Sequence, residues 1–285
     1  MVVELPYSLH TRYASIATAW TVIIIPPIFL NLGLFYGLWY GKPDMDRMLV
    51  LTLPTGVLGI FTIIAIVERV WKLIKLSPEY RPLNSPRYAL DIFQWGYFLA
   101  LLVISSLITS TLARDDRDQD GHAFQIRLIS LPAAVLMYLV ATLTLLSMVL
   151  NRFAVKLPFQ FGSLGPGNVV RPAIFYIVED IVAVDGCGGM DYRKAFGARY
   201  DNSIIFRRMI WNLSGLWMLF FYASATLFTI LVFTLPVATV YAVGWAGPFP
   251  LAGVMAIWTI VHVKAQLRKE RRWAVEEDES TPLID

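Results

Sequence analysis

An acidic run in the middle of the chain has the spacing of half a calcium-binding loop. Asp116, Asp118 and Asp120 alternate along the chain and Gly121 follows them, as in the first six positions of an EF-hand loop. The twelfth position, which carries a bidentate glutamate in that loop, is Arg127 here, and its charge repels a cation. The three aspartates are therefore a candidate for weak Ca²⁺ binding, although a solvated acidic turn is the favoured interpretation.

Three other carboxylates are candidate general acids. Glu68 lies near the end of a long apolar block, where an ionisable side chain is a functional candidate by default. Glu179 and Asp180 lie in a predicted short helix, and buried paired carboxyls have raised pKa values that suit proton donation. If that helix packs beneath the apolar blocks, these three residues form a candidate catalytic site for acid-driven cyclisation or isomerisation. The competing interpretation of Glu68 is an ion pair with Lys72, one helical turn further on.

The sequence lacks the patterns that metal and cofactor enzymes require. The three histidines, His10, His122 and His262, are far apart, and none has a second histidine four residues away. The single cysteine, Cys187, forms neither an intrachain disulfide nor a metal-binding cluster. The sequence therefore predicts no cofactor, and it contains neither a P-loop nor a G-x-S-x-G motif.

The elements that must position these side chains are predicted from long apolar blocks. Of the 285 residues, 57% are hydrophobic and only 16% are charged, and the net charge of +3 gives no reason to expect nucleic-acid binding. A bilayer core requires about 20 apolar helical residues, because lipid offers the backbone no hydrogen-bond partners. The predicted fold class is all-α, a polytopic membrane helix bundle with six transmembrane helices. The predicted spans cover about 14–40, 49–71, 91–112, 128–150, 211–235 and 246–263.

The distribution of basic residues predicts the orientation of the bundle. Most of the 24 Lys and Arg residues lie in the amino-terminal tail, the loops after spans two and four, and the carboxy-terminal tail. Since basic residues favour the cytoplasmic side, we predict that both termini are cytosolic. The predicted units are 1–151 with spans one to four, a cytosolic loop at 152–208, 209–263 with spans five and six, and a charged tail at 264–285.

The cytosolic loop is long enough to hold structure of its own. Pro172 and Gly186 delimit a predicted helix over 173–184. Within it, Tyr176, Glu179, Asp180 and Ala183 share one face, and apolar residues cover the remainder. Such a helix is too short to span and too apolar to stand free. We expect it to lie in the interface or beneath the bundle, with its acidic stripe turned to water or to basic partners.

The same loop carries a resemblance to known sequences. The run VRPAIFYIVEDIVAVDG at 170–186, with Tyr192-Arg193 after it, is similar to a segment of uncharacterised multispan membrane proteins of filamentous fungi. The resemblance covers about a fifth of the chain. It implies a fungal membrane protein with an important cytosolic loop, and it implies no reaction.

Three classes of function remain open from the sequence. The favoured class is an accessory or scaffold component of an endoplasmic-reticulum, endomembrane or plasma-membrane pathway, with a protein partner at loop 152–208 and anionic lipid headgroups at 264–272. The second is a cofactor-free enzyme acting on a hydrophobic lipid or terpenoid-like substrate. The third is a small channel or carrier, suggested by the Pro26-Pro27 break, Asn31 and the hydroxyl groups of span three. Helix packing is the favoured interpretation of those last features.

Overall fold

A computed structural model describes residues 5–6, 21, 25–76, 78–114 and 119–280, without the side chains at 27, 76, 119–120 and 274–280. This part of the chain consists of helices joined by turns, with two isolated β-bridges in one loop. Short π-helical turns cover Ile25–Leu30, Lys72–Leu76 and Ile181–Asp185, and Pro78–Tyr80 forms a 3₁₀ turn. The α-helices are α1 Asn31–Gly41, α2 Arg47–Trp71, α3 Ile92–Leu112, α4 Gln119–Ile129, α5 Pro132–Arg152, α6 Ala173–Asp180, α7 Gly189–Asn202, α8 Ile204–Thr234, α9 Val237–Ala246 and α10 Pro248–Ser280.

Five helical segments are long and apolar enough to cross a membrane, which confirms the all-helical membrane class. Most of their side chains face outward rather than into the protein, as expected for helices that contact lipid. Of the predicted first span, residues 14–20 and 22–24 lie outside the described part of the chain, and residues 25–40 form the π-helical turn and most of α1. The count of six spans and the orientation of the termini therefore stay predictions. The five segments are Arg47–Lys75, Ile92–Leu112, Pro132–Arg152, Ile204–Thr234 and Val237–Trp273.

The predicted turn between spans five and six is a buried helix, α9. Its Tyr241 ring stacks on Phe35 of α1 at a centroid distance of 3.8 Å, and its hydroxyl donates to Asn31 Oδ1 at 2.9 Å. Trp245 Nε1 donates to the carbonyl oxygen of Ile129 at 3.1 Å. The prolines lie outside the helix, at Pro236 and Pro248, so they do not interrupt its backbone hydrogen bonds. Burial of the aromatic side chains stabilises the helix against its neighbours. Asn31, considered for a transport pathway, is thus buried and accepts from Tyr241 through its Oδ1, which favours helix packing.

The hydroxyl groups of the third predicted span also bond within their own helix. Ser106 Oγ donates to the carbonyl oxygen of Leu102 at 2.7 Å, and Thr111 Oγ1 donates to that of Leu107 at 2.7 Å. Such back-bonding satisfies a hydroxyl in an apolar environment without any ligand. These contacts favour helix packing over a polar pathway through α3.

Residues 153–203, between α5 and α8, fold into a unit that we call the cap. Its core is aromatic: the Phe196 ring lies 4.9 Å from Phe175 and 5.3 Å from Tyr192. Phe206, in the first turn of α8, meets Phe196 edge to face at 5.5 Å. Because this core continues into α8, the cap and the membrane helices share one packed interior.

The helix predicted over 173–184 is present as α6 and the π-helical turn that follows it. Its acidic face points inward: Tyr176, Glu179 and Asp180 are buried, whereas Ile181 is 37% exposed. Of the two environments predicted for this stripe, basic partners are therefore the one found. The partners come from α2 and α7, as described next.

Candidate functional site

A cluster of buried charges joins the cap to the ends of α2 and α3. We call Arg69, Asp91, Glu179, Asp180 and Arg193 the buried charge cluster, since all five are at most 6% exposed. An unpaired buried charge is very unfavourable, so these groups must neutralise one another. The cluster contains two arginines and three carboxylates, so its net charge depends on whether one of the carboxylates is protonated.

Asp91 is placed by its role as the amino-terminal cap of α3. Its Oδ1 accepts from the backbone N–H of Gln94 at 2.8 Å, which satisfies one of the free donors of the first turn. Its Oδ2 accepts from Arg69 Nη2 at 2.6 Å and lies 3.8 Å from Arg193 Nη2. The carboxylate thus links the start of α3 to both arginines.

Arg69 extends the cluster from the last turn of α2. Besides Asp91, its guanidinium pairs with Asp185 at the end of the π-helical turn and lies 4.7 Å from the centre of the Phe93 ring. It also donates to the carbonyl oxygen of Asp180 at 3.4 Å. A single side chain of α2 therefore contacts both α3 and the cap.

Arg193 is the central cation of the cap and is fully buried. Its Nη1 donates to Asp180 Oδ1 at 2.5 Å and lies 3.4 Å from Glu179 Oε1. Its Nη2 donates to the carbonyl oxygen of Tyr80 at 3.3 Å. Asp180 Oδ2 in turn accepts from the backbone N–H of Phe93 at 3.0 Å. The cap helices α6 and α7 are therefore fixed to α3 through one carboxylate.

The surroundings of Asp180 shift its protonation toward neutral pH. Burial raises the pKa of Asp180 to about 7, and the nearby Asp91 and Glu179 carboxylates add to this increase while Arg193 opposes it. Burial also raises the pKa of Glu179, against the opposing effect of Arg193. Taking up a proton brings the charge of the cluster closer to balance, because carboxylates outnumber arginines.

The raised pKa predicts that stability depends on pH. The folded protein binds the Asp180 proton more tightly than the unfolded chain, where the ordinary value is 3.8. The contribution to stability is thus complete below about pH 4 and is lost as pH rises through about 7. We expect a lower apparent melting temperature in detergent at pH 8 than at pH 6. Asp180→Asn, which resembles the protonated acid, should remove most of this difference.

The matched control for this pH experiment is Asp191→Asn, which removes an exposed carboxylate from α7. That variant should keep the pH dependence of the unmodified protein. An undiminished pH dependence in Asp180→Asn would assign the effect to other groups, of which Asp185 is the first to test. Burial raises the pKa of Asp185 too, against the opposing effects of Arg69 and Lys72.

Glu68, expected to approach Glu179 and Asp180 as a candidate catalytic residue if their helix packs beneath the bundle, does not join the cluster. Its side chain is 64% exposed and accepts from Lys72 Nζ at 2.8 Å, which is the competing interpretation of this residue. The next residue, Arg69, points to the cap instead, because adjacent positions on a helix face about 100° apart. The structure brings Glu179 and Asp180 together with Arg69, Asp91 and Arg193 rather than with Glu68.

The candidate Ca²⁺ ligands lie outside the described part of the chain: Asp116 and Asp118 completely, and Asp120 by its side chain. Among the described residues, no group of three or more His, Cys, Asp or Glu side chains has a geometry that would hold a metal ion. Arg127, at the twelfth position of the loop pattern, donates to the carbonyl oxygens of Val232 and Leu235 at the end of α8. Its guanidinium is thus engaged in joining α4 to α8.

A second ion pair attaches the carboxy-terminal helix to the cap. Arg199 Nη2 of α7 donates to Glu270 Oε2 of α10 at 2.5 Å, and both side chains are nearly fully buried. The predicted charged tail at 264–285 is therefore helical as far as Ser280 and packs on the cap. Trp273 follows Glu270 by three residues and is 66% exposed.

A cavity of about 640 Å³ lies where α5 ends and α8 begins. Its wall includes Asn151, Arg171, Asp201, Arg207 and Trp211. None of the candidate catalytic residues Glu68, Glu179 and Asp180 lines this cavity. The cavity and the buried charge cluster are therefore separate features of the cap region.

These features define a class: a helical membrane protein whose longest described loop forms a folded cap, fixed to the bundle by buried ion pairs. Comparison with known sequences places it further. The chain belongs to the family described as Domain of unknown function (DUF8766), whose model matches residues 2–273. No curated protein and no solved structure matches the chain.

Of the cluster residues that the sequence analysis did not name, Asp91 carries a sequence signal of its position. Asp91 stands directly before an apolar run and three residues before Gln94, which is the pattern of a helix amino-terminal cap. Arg193 lies in the resembling segment, but its spacing from Asp180 across a glycine turn indicates no contact. Arg69 offered no signal, because the sequence cannot tell whether a basic residue at a span end contacts headgroups or protein.

Proposed function

We propose that this protein is an accessory or scaffold component of a membrane, in which the bundle supports a rigid platform for a protein partner. The platform comprises the cap and the part of α10 that extends beyond the bilayer. The observation that carries the proposal is the buried Arg199–Glu270 pair, because it joins these two segments into one surface. If the cap were a flexible loop and the tail were free, no buried ion pair would form between them.

The exposed residues of α10 support a protein partner. Arg271, Arg272 and Trp273 are adjacent and exposed, beyond the point where Glu270 fixes the helix. Exposed tryptophan and arginine are the residue types most enriched at the energetic centres of protein interfaces. A rigid helix also loses little entropy on binding, which favours a stable complex.

We further propose that the platform faces the cytosol of an endomembrane or plasma-membrane compartment, since it carries ten of the 24 Lys and Arg residues. Cys187, the only cysteine in the chain, is exposed in the cap and reports on this orientation. Labelling of Cys187 by a membrane-impermeant maleimide in intact cells would contradict it.

The partner is tested by quantitative co-purification after mild cross-linking in native membranes. Wild type should retain a stoichiometric protein partner that Trp273→Ala reduces strongly, since a central aromatic residue often contributes 2 kcal/mol or more, about 30-fold in affinity. Glu270→Gln should release the same partner by uncoupling the tail from the cap. Trp273→Ala leaves the buried contacts intact, so a loss of binding in that variant does not reflect misfolding.

Two matched variants complete the partner experiment. Trp95→Ala removes another exposed tryptophan, 62% accessible, from the lipid-facing side of α3, and Glu68→Gln removes an exposed glutamate. Both should keep the partner. Equal retention in Trp273→Ala and Trp95→Ala, or no stoichiometric partner in wild type, would contradict the scaffold proposal.

One observation favours a second candidate, the cofactor-free enzyme. Asp180, with its pKa near neutrality, sits beside Glu179 at the edge of an apolar bundle, as a proton donor to a hydrophobic substrate would. Against it, every carboxylate of the cluster is already paired with an arginine. A bound apolar metabolite in native mass spectrometry, lost or chemically changed in Asp180→Asn, would favour the enzyme over the scaffold.

A further inference from the structure

The length of α8 and the residues of its first turns indicate that the cavity between α5 and α8 lies near the depth of the lipid headgroups. Helix α8 has 31 residues, about 46 Å at 1.5 Å per residue, whereas the hydrocarbon core is about 30 Å thick. About ten residues of α8 therefore extend beyond the core. Arg207 and Arg208 lie in its first turns, and Trp211 follows one turn later, as is typical of an aromatic residue at the membrane interface.

The wall of the cavity is positively charged. Arg171 is fixed in place by Asp201, to whose two oxygens it donates at 2.8 and 2.9 Å, and it stacks over Phe175 and Tyr200. Arg207 and Arg208 are exposed, and neither forms an ion pair with any carboxylate of the described residues. The wall carries three arginines and one aspartate, which leaves it with an excess of positive charge.

The rest of the wall is mixed: Asn151 and Asn168 are polar, whereas two residues of the cap and two of α8 are apolar. Leu164, Val169, Ile204 and Trp211 line the same cavity, and Ile204 is 65% exposed. A small soluble anion gains no binding energy from an apolar surface. A phospholipid can place its phosphate beside arginines and its glycerol and upper acyl carbons against apolar side chains. Basic pockets between helices at the interface are where anionic headgroups bind.

We propose that this cavity binds one anionic phospholipid, with its phosphate held by Arg207 and Arg208 and its glycerol region packed against Ile204 and Trp211. The site involves none of the residues that carry the scaffold proposal, so either can fail without the other. Arg171 forms part of the wall and adds to the positive electrostatic potential of the cavity. Asp201 holds the Arg171 guanidinium in place.

The test uses full-length protein in detergent, titrated with phosphatidic acid, phosphatidylcholine or inorganic phosphate and followed by native mass spectrometry. One phosphatidic acid should bind in clear preference to phosphatidylcholine. Arg207→Gln/Arg208→Gln should weaken it by about 25-fold, since each basic residue near an anionic surface contributes roughly a factor of five. Both positions are exposed, so an unchanged melting temperature verifies that the variant folds.

The chain offers a matched control pair. Lys42→Gln/Arg47→Gln removes two exposed basic residues at the junction of α1 and α2, with the same change in net charge. It should leave phosphatidic acid binding unchanged. Equal weakening by both pairs would show diffuse attraction and overturn the site. If inorganic phosphate binds as tightly as phosphatidic acid, the ligand is a soluble anion and the lipid proposal is wrong. The proposal is also wrong if phosphatidic acid and phosphatidylcholine bind equally.

Discussion

Arg193→Leu should lower the free energy of unfolding by about 3–5 kcal/mol, because it leaves buried carboxylates without their shared cation. Asp180, Glu179 and Asp91 all lie within 4 Å of its guanidinium. They then remain charged at high energetic cost or take up protons. The loss should therefore be larger at pH 8 than at pH 6. Detachment of the cap should appear as a lower apparent melting temperature in detergent and as new protease cleavage between residues 153 and 203.

The neighbouring residue provides the control for this variant. Lys194 is exposed on the same helix, and Lys194→Leu should leave stability and protease resistance nearly unchanged. Adding Asp180→Asn to Arg193→Leu should restore part of the loss, because one of the unpaired carboxylates is then removed. If Arg193→Leu is as stable as Lys194→Leu, the cluster does not hold the cap to the bundle.

Gly244→Ala should destabilise the bundle by about 3 kcal/mol, at the upper end of the usual range for overpacking. A β-carbon at this position of α9 would lie 2.1 Å from the carbonyl oxygen of Ser130 and 2.9 Å from its carbonyl carbon. These are backbone atoms at the junction of α4 and α5, and they cannot rotate away as a side chain could. The clash outweighs the gain of about 1 kcal/mol that alanine brings to a helix. Thermal unfolding in detergent and the yield of folded protein both measure the effect.

Gly253→Ala is the corresponding control in α10. A β-carbon there meets no atom within 4 Å, so only the gain in helix propensity remains, and stability should stay equal or rise slightly. A loss in Gly253→Ala as large as that in Gly244→Ala would mean that glycine matters through helix flexibility rather than through close packing. Near-native stability of Gly244→Ala would contradict the tight contact between α9 and Ser130.

Two of the five residues of the buried charge cluster could be predicted from the sequence, because the pattern that marks them is local. Glu179 and Asp180 belong to a stripe at positions i, i+3, i+4 and i+7, which eight consecutive residues suffice to show. Their partners come from positions far away: Arg69 is separated from Asp180 by 111 residues and Asp91 from Arg69 by 22. No periodicity links such distant residues, so the sequence could not show that Arg69 rather than Glu68 contacts the cap.

The sequence by itself determined the helical membrane class, the positions of the long spans and the helix over 173–184. Those properties depend on runs of apolar residues and on helical spacing, both of which are local. Only the tertiary structure decided that the acidic stripe faces inward, that the turn before Pro248 is a buried helix and that Glu270 holds the tail to the cap. Each of these depends on which distant side chains meet. The energy of a charge or an aromatic ring is set by the partners that surround it, and packing of the whole chain determines those partners.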